Sequence, residues 1–269
     1  MTTMFASRIS RRSLLKAAAF TITAGALTTA TAPFAKAEPG TIVGTVIDFA
    51  AGVPDAQAVK DGGFLGAVRY VSQRRPGAEW MLGKPVTRQE TDAMANLGLK
   101  TASVYQFGKE ETADWKQGAE GARVHAPQAI ELHRAAGGPT GRPIYVAIDD
   151  NPTREQYDNQ IRPYLQTFRT LLSDAGYSMG IYGNYNTINW AIQDGLGEFF
   201  WQHDWGSEGQ IHPQVTIHQK AGWQESVGGV TVDVNNGASG LPAMLTEHSR
   251  RQLPPTTTVP QRRTCPPRR

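Results

Sequence analysis

Cysteine is almost missing from this 269-residue chain: Cys265 stands alone near the C-terminal end. No intramolecular disulfide can form, so the fold has to be stabilised by a packed core. Long apolar runs are also missing. The best candidate, from Ala17 to about Ala32, is rich in Ala, Thr and Gly, and is too short and too polar to hold a bilayer well. Metal-ligand spacings are absent as well. There is no H-E-x-x-H, and His203, Asp204, His212 and His218 read as rim residues, so neither metal nor cofactor is expected. The stretch "GGPTGRP" lacks the Lys-Ser/Thr of a phosphate-binding loop. Finally, no acid occurs in residues 1–37 or 250–269.

That last absence changes the meaning of the charge. The chain has 27 basic and 24 acidic residues and a net charge of +3. Five of the basic residues lie in 1–37 and six in 250–269, which leaves 16 against all 24 acids, about −8, for Glu38 to Ser249. The positive charge is outside the expected fold, so nucleic acid is not an expected partner.

The ends have their own readings. Arg11 and Arg12, followed by Leu14, Leu15 and Lys16, a short apolar run and the small-x-small site Ala35-Lys36-Ala37, form a twin-arginine signal peptide over 1–37. This predicts export of a folded protein, with the Tat translocon as a transient partner, and a secreted or envelope-associated location. The tail 250–269, "RRQLPPTTTVPQRRTCPPRR", is rich in Pro, Thr and Arg and has no apolar period. It reads as a solvated tail or as a basic tether to an anionic wall polymer or membrane surface.

Between them, residues 38–249 alternate short β-branched runs with helical patterns: "TIVGTVIDFA", "LGAVRYVS", "LKTASVYQFG", "PIYVAID" and "YSMGIYG", each followed by a helix-like segment. Thr87 with Glu90 three residues on has capping-box spacing. Three further strands, in "EFFWQHDW", "QVTIHQK" and "GVTVDVN", have little helix between them. Eight strands in strand–helix alternation predict an α/β fold, an irregular (β/α)8 TIM-type barrel of parallel strands with few helices between the last ones.

In such a barrel the site lies at the C-terminal ends of the strands. Those ends deliver Asp48, then Arg69 and Tyr70, Tyr105 and Gln106, Asp149-Asp150-Asn151, Tyr182, Trp201, Gln219, and Asp233 with Asn235. Asp48, Asp149, Asp150 and Asp233 are the candidate catalytic residues. Arg69, Tyr105, Gln106, Asn151, Tyr182, Trp201 and Gln219 are the candidate substrate-binding ones. Carboxylates for acid/base work, aromatic rings and amides are what a sugar site needs. Each acid also has a plain alternative: Asp48 or Asp150 as a helix cap, Asp233 as part of a turn, and Arg69 as half of a buried salt bridge. Side chains alternate along a strand, so Asp149 and Asn151 share a direction and Asp150 opposes them, unless the turn at Pro152 comes early.

The order "IDFA", "AID", "GIYGNY", "HQK" and "VDVN" is similar to the family 25 glycoside hydrolases, the Chalaropsis-type lysozymes. "AAGVPDAQAV", "VRYVSQRRPGAEWMLGKP", "ADWKQGA", "IDDNP" and "FFWQHDWG" resemble a related group, the glycoside-hydrolase-like domain of Tat-exported actinobacterial and mycobacterial cell-envelope proteins. The resemblance covers about Thr41 to Ala238. It implies a lysozyme-like barrel acting on a cell-envelope glycan such as peptidoglycan. It also implies that Asp48, Asp149 and Asp233 match the acids of the first, fourth and last strands, and that Asn151 stands where the lysozymes keep a Glu proton donor. Three mechanisms are therefore expected alternatives. Asp149 or Asp150 is a general acid of raised pKa; the substrate's own N-acetyl group is the nucleophile; or the barrel is a catalytically inactive glycan-binding or wall-remodelling accessory protein.

Overall fold

The computed structural model describes residues 40–241. The expected signal peptide, the basic tail and Cys265 lie outside the described residues, which fall within the expected 38–249 domain. Eight strands close a barrel in sequence order: β1 (Ile42–Asp48), β2 (Gly66–Tyr70), β3 (Lys100–Tyr105), β4 (Pro143–Ala147), β5 (Ser178–Gly183), β6 (Phe199–His203), β7 (Val215–Val227) and β8 (Val230–Ala238). The fold is thus α/β with a closed eight-stranded barrel. β1 to β7 pair in parallel, but β8 is antiparallel to both β7 and β1, which corrects the all-parallel expectation.

The reason is local. Val227 and Val230 pair across Gly228 and Gly229, whose φ angles are 56° and 81°. Two consecutive positive φ values are the signature of a tight hairpin turn, and a two-residue link reverses the chain. β7 runs past the barrel rim, and its outer part pairs with the start of β8 after an irregularity between Gln219 and Gln224. The projecting hairpin packs Val227 and Val232 with Phe49 and Val59, which fixes it over the first helix.

The helices are α1 (Ala56–Asp61), α2 (Arg88–Asn96), α3 (Gly118–Ala135), the single turn α4 (Arg154–Gln156), α5 (Arg162–Asp174) and α6 (Tyr185–Gln193). A π turn, Tyr157–Ile161, joins α4 to α5. α5 buries Tyr164, Leu165, Phe168 and Leu172, one face of the 3.6-residue period, against the barrel's outer wall. Each such side chain contributes about 1.5–3 kcal/mol of burial. α3 meets it with Ala122, Ala126 and Ala129, small side chains that permit close approach. Among the described residues, no helix is long and apolar enough to cross a membrane.

Strand alternation divides the core in two. Val46, Val68, Ala102, Val104, Tyr145, Ala147, Tyr182, Trp201 and Ile217 fill the barrel interior. Ile144, Val146, Met179, Ile181 and Phe200 face the helices instead. The interior stack ends upward in polar side chains, and there the cleft opens.

Candidate active site

A cleft of about 530 Å³ opens at the C-terminal ends of β1 to β7, lined by Asp48, Tyr70, Gln106, Asp149, Asp150, Asn151, Tyr182, Gln219 and Asp233 among others. Asp48 ends β1 and is only 3% exposed. Its backbone partner across the antiparallel pair is Asp233. Side chains directly opposite in such a pair are neighbours, and like charges there repel. Burial first, and the facing Asp233 second, push the Asp48 carboxyl up to about 7, while hydrogen bonds from Asn235 and Tyr70 act the other way. Asn235 Nδ2 donates to Asp48 Oδ2 at 2.8 Å, and Tyr70 Oη to Asp48 Oδ1 at 3.3 Å. Asp48 is no helix cap, because Asp55 fills that role for α1.

Asp149 lies just past the end of β4. Gln106 Nε2 donates to its Oδ2 at 2.9 Å, and Tyr182 Oη lies 3.4 Å from its Oδ1. Burial raises its pKa and Asp150 adds to this, whereas Lys109 and the Gln106 hydrogen bond oppose it. Tyr182 Oη also donates to Gln219 Oε1 at 2.8 Å, and Gln219 Nε2 lies 3.5 Å from Asp48 Oδ2. Two side chains, Tyr182 and Gln219, therefore bridge the Asp48 and Asp149 carboxyls. Trp201 forms the floor, its Nε1 donating to Asn235 Oδ1 at 2.9 Å.

The turn after β4 comes early, so strand alternation does not govern Asp150 and Asn151. Both border the cleft. Asp150 is not a helix cap: Thr153 caps α4 in a reciprocal box with Gln156. Asp150 instead accepts from Trp115 Nε1 at 2.7 Å and from the Glu110 backbone N–H at 2.9 Å. Glu110 has φ 50°, a left-handed conformation unusual for a side-chain-bearing residue. Asn151 accepts from Asn184 Nδ2 at 3.1 Å and lies against Gly206, where a Cβ would come 1.9 Å from its Oδ1.

Two expected binding residues are not in the cleft, and alternation explains both. Arg69 faces outward from β2 and is fully buried. It pairs with Glu90, donates to the carbonyls of Phe49 and Gly83 at 2.6 Å each, and stacks on the Phe49 ring. It is the salt bridge of the two alternatives. Glu90 is spent on it, so Thr87 caps α2 without the reciprocal Glu90 bond that the spacing suggested. Tyr105 likewise faces the helices, with its Oη 2.5 Å from His125 Nδ1 and its ring near Phe168. Their neighbours Tyr70 and Gln106 take the cleft positions. Sequence reasoning also missed Lys109, Glu110 and Trp205 as site residues, and placed Asn235 at its strand end without a role. Asn235 shares the inward face with Asp233, two positions away, which was a usable signal. Trp205 stacks on His203 at 4.0 Å. His218 pairs with Asp204 at 2.6 Å, and among the described residues no group of three or more His, Cys, Asp or Glu is placed to hold a metal.

A closed α/β barrel with carboxyls, amides and aromatic rings converging at one mouth defines a glycoside-hydrolase-like protein. The chain belongs to the Rv2525c-like, glycoside hydrolase-like domain family, whose model matches residues 57–237. It is 48% identical over 230 residues to a Mycobacterium tuberculosis protein named "Putative peptidoglycan hydrolase Rv2525c", covering 84% of this chain and 95% of that one. The crystal structure of that Tat-secreted protein in complex with L-tartrate superposes with TM-score 0.71 at 50% identity over 76% of this chain and 98% of that one. The modular autolysin LytC of Streptococcus pneumoniae shares the fold at TM-score 0.52 and 14% identity, over 71% of this chain and 46% of that one.

Proposed function

We propose that the protein is an exported, lysozyme-like hydrolase of cell-envelope glycan, with peptidoglycan as its substrate class. The observation that carries this reading is the meeting of Asp48, Asp149 and Asp233 in one polar, aromatic-floored cleft. Glycoside hydrolysis needs a carboxyl that gives its proton to the glycosidic oxygen as the C–O bond breaks, and a carboxylate facing the positive charge left at the anomeric carbon. Water then supplies hydroxide to that carbon and returns a proton to the acid. Asp48, kept protonated up to about pH 7 by burial and by Asp233, is the proton donor. Asp149, oriented by the Gln106 amide, is the facing carboxylate. Asn151, held through its amide oxygen by Asn184, is suited to orient a substrate hydroxyl or N-acetyl group. The irregular (β/α)8 description suits the barrel, with its helices between the earlier strands.

Twin arginines at 11 and 12 and the Tat-secreted relative support export through the Tat pathway. The basic tail 250–269 fits a contact with an anionic envelope polymer or membrane surface.

One observation favours a second reading, a glycan-binding accessory protein without turnover: Asn151 is an amide, fixed by Asn184, where the lysozymes the chain resembles keep a proton donor. Product analysis on purified peptidoglycan and on arabinogalactan-type polymers separates the two, comparing wild type with Asp48→Asn and Asp149→Asn. New reducing ends from wild type alone support hydrolysis. Retention on the glycan with no new ends in any sample overturns it in favour of binding.

A further inference from the structure

The cleft has a second lobe of about 380 Å³, bounded by the 72–86 loop and the projecting hairpin, whose Arg75, Trp80 and Lys84 the proposed reaction does not use. It shares Asp48, Asp149 and Asp233 with the first lobe. Its other side has the opposite character. Arg75, Lys84 and Trp80 line it, and the Trp80 ring is 57% exposed. Lys84 is buried, donates through Nζ to the Gln106 carbonyl at 2.8 Å and lies 4.0 Å from the centre of the Tyr70 ring. An ammonium has three donors, and this carbonyl takes one of them. Lys84 is pulled down to about 7 by burial and then by Arg75 beside it, against the pull of Asp114 and Asp149.

Among the described residues, neither Arg75 nor Lys84 has a salt-bridge partner. Adjacent cations without a bound carboxylate are unfavourable, and here they sit in a body whose net charge is about −8. An anion between them removes the repulsion. The planar guanidinium fork suits a carboxylate, the compact ammonium adds a point charge, and an exposed indole beside them suits the apolar face of a sugar ring.

We propose that this lobe is a subsite for a sugar unit bearing a free carboxylate, with its ring on Trp80 and its carboxylate between Arg75 and Lys84. The inference rests on the glycan reading above and adds the chemical character of the unit next to the reacting one. Asp48, Asp149 and Asp233 line both lobes and Glu110 the first, so an acidic substituent is accepted only where Arg75, Lys84 and Lys109 offset them. Amide-linked substituents lack that charge, so glycan stripped of attached peptide is the preferred form.

Isothermal titration tests this with the full chain carrying Asp149→Asn, so that turnover does not interfere. The probe is a tetrasaccharide of alternating N-acetylglucosamine and N-acetylmuramic acid with free carboxylates. It is compared with the same tetrasaccharide reduced to alcohols, amidated, or carrying phosphate in place of carboxylate. The free acid is expected to bind about tenfold tighter than the alcohol and amide forms. Arg75→Gln should abolish that preference, and Trp80→Ala should weaken all forms alike. Equal affinity for acid and alcohol overturns the proposal while leaving the glycan reading standing. Tighter binding of the phosphate form overturns the carboxylate assignment. No binding to any form overturns both.

Discussion

Asp48 and Asp233 face each other across the antiparallel seam, and the cost of that arrangement is measurable. The folded pKa of Asp48, about 7, lies above its ordinary value of 3.8. Between those values the folded state binds a proton that the unfolded chain has lost. Its stabilisation is therefore full below about pH 4 and is lost as pH rises through 7. Asp48→Asn, which keeps an acceptor for Asn235, should be neutral at pH 4. At pH 8 it should stabilise by about 2–4 kcal/mol in urea unfolding. It should also abolish glycan cleavage, and wild-type turnover should fall as pH rises above about 7, where Asp48 ionises. Gly206 makes a second single-residue prediction. Its φ is 71° and an added Cβ would meet Asn151. Gly206→Ala should lower stability by about 1–2 kcal/mol, read by thermal unfolding, and weaken glycan binding by displacing the Asn151 amide.

At the scale of elements, Arg69 ties β2 to α2 and to the loops at Phe49 and Gly83. Arg69→Met leaves Glu90 buried without its partner and should cost about 3–5 kcal/mol in urea unfolding. Adding Glu90→Gln should recover part of the loss. Alternation made this role legible from sequence in principle, because Arg69 and Tyr70 cannot both face the cleft, nor can Tyr105 and Gln106. Choosing the right member of each pair needed the inward face to be assigned, and a charged residue in an apolar strand suggested the wrong one. The strands themselves were readable, each being a β-branched run bounded by turn residues. The direction of β8 was misread as parallel: the segment "QVTIHQK" did not reveal that β7 continues to Val227, which leaves only Gly228-Gly229 before β8, too short for the crossover that a parallel neighbour requires. Lys84 and Lys109 reach the cleft from loops and Glu110 from a single 3-10 turn, where no periodicity reports orientation.

For the whole molecule, charge is segregated: the body holds about −8, while the six arginines of 250–269 have no acid among them. Deleting 250–269 should leave the unfolding midpoint unchanged and abolish salt-sensitive retention on an anionic polymer column. Closure is also a property of the whole. β1 pairs with β2 only at Ile47 and Asp48, but with β8 from Ile42 to Asp48. A chain truncated after Val227 should therefore show no cooperative unfolding transition by circular dichroism.

The antiparallel closing strand also sets a schedule for synthesis. Among the described residues, Asp48 belongs to the first strand to leave the ribosome and Asp233 to the last. A nascent chain carries the first carboxyl through the synthesis of β2 to β7 without the neighbour that raises its proton affinity. The acid pair comes into being only when the barrel shuts. Closing the barrel and arming the acid are thus one event, completed only when β8 pairs with β1.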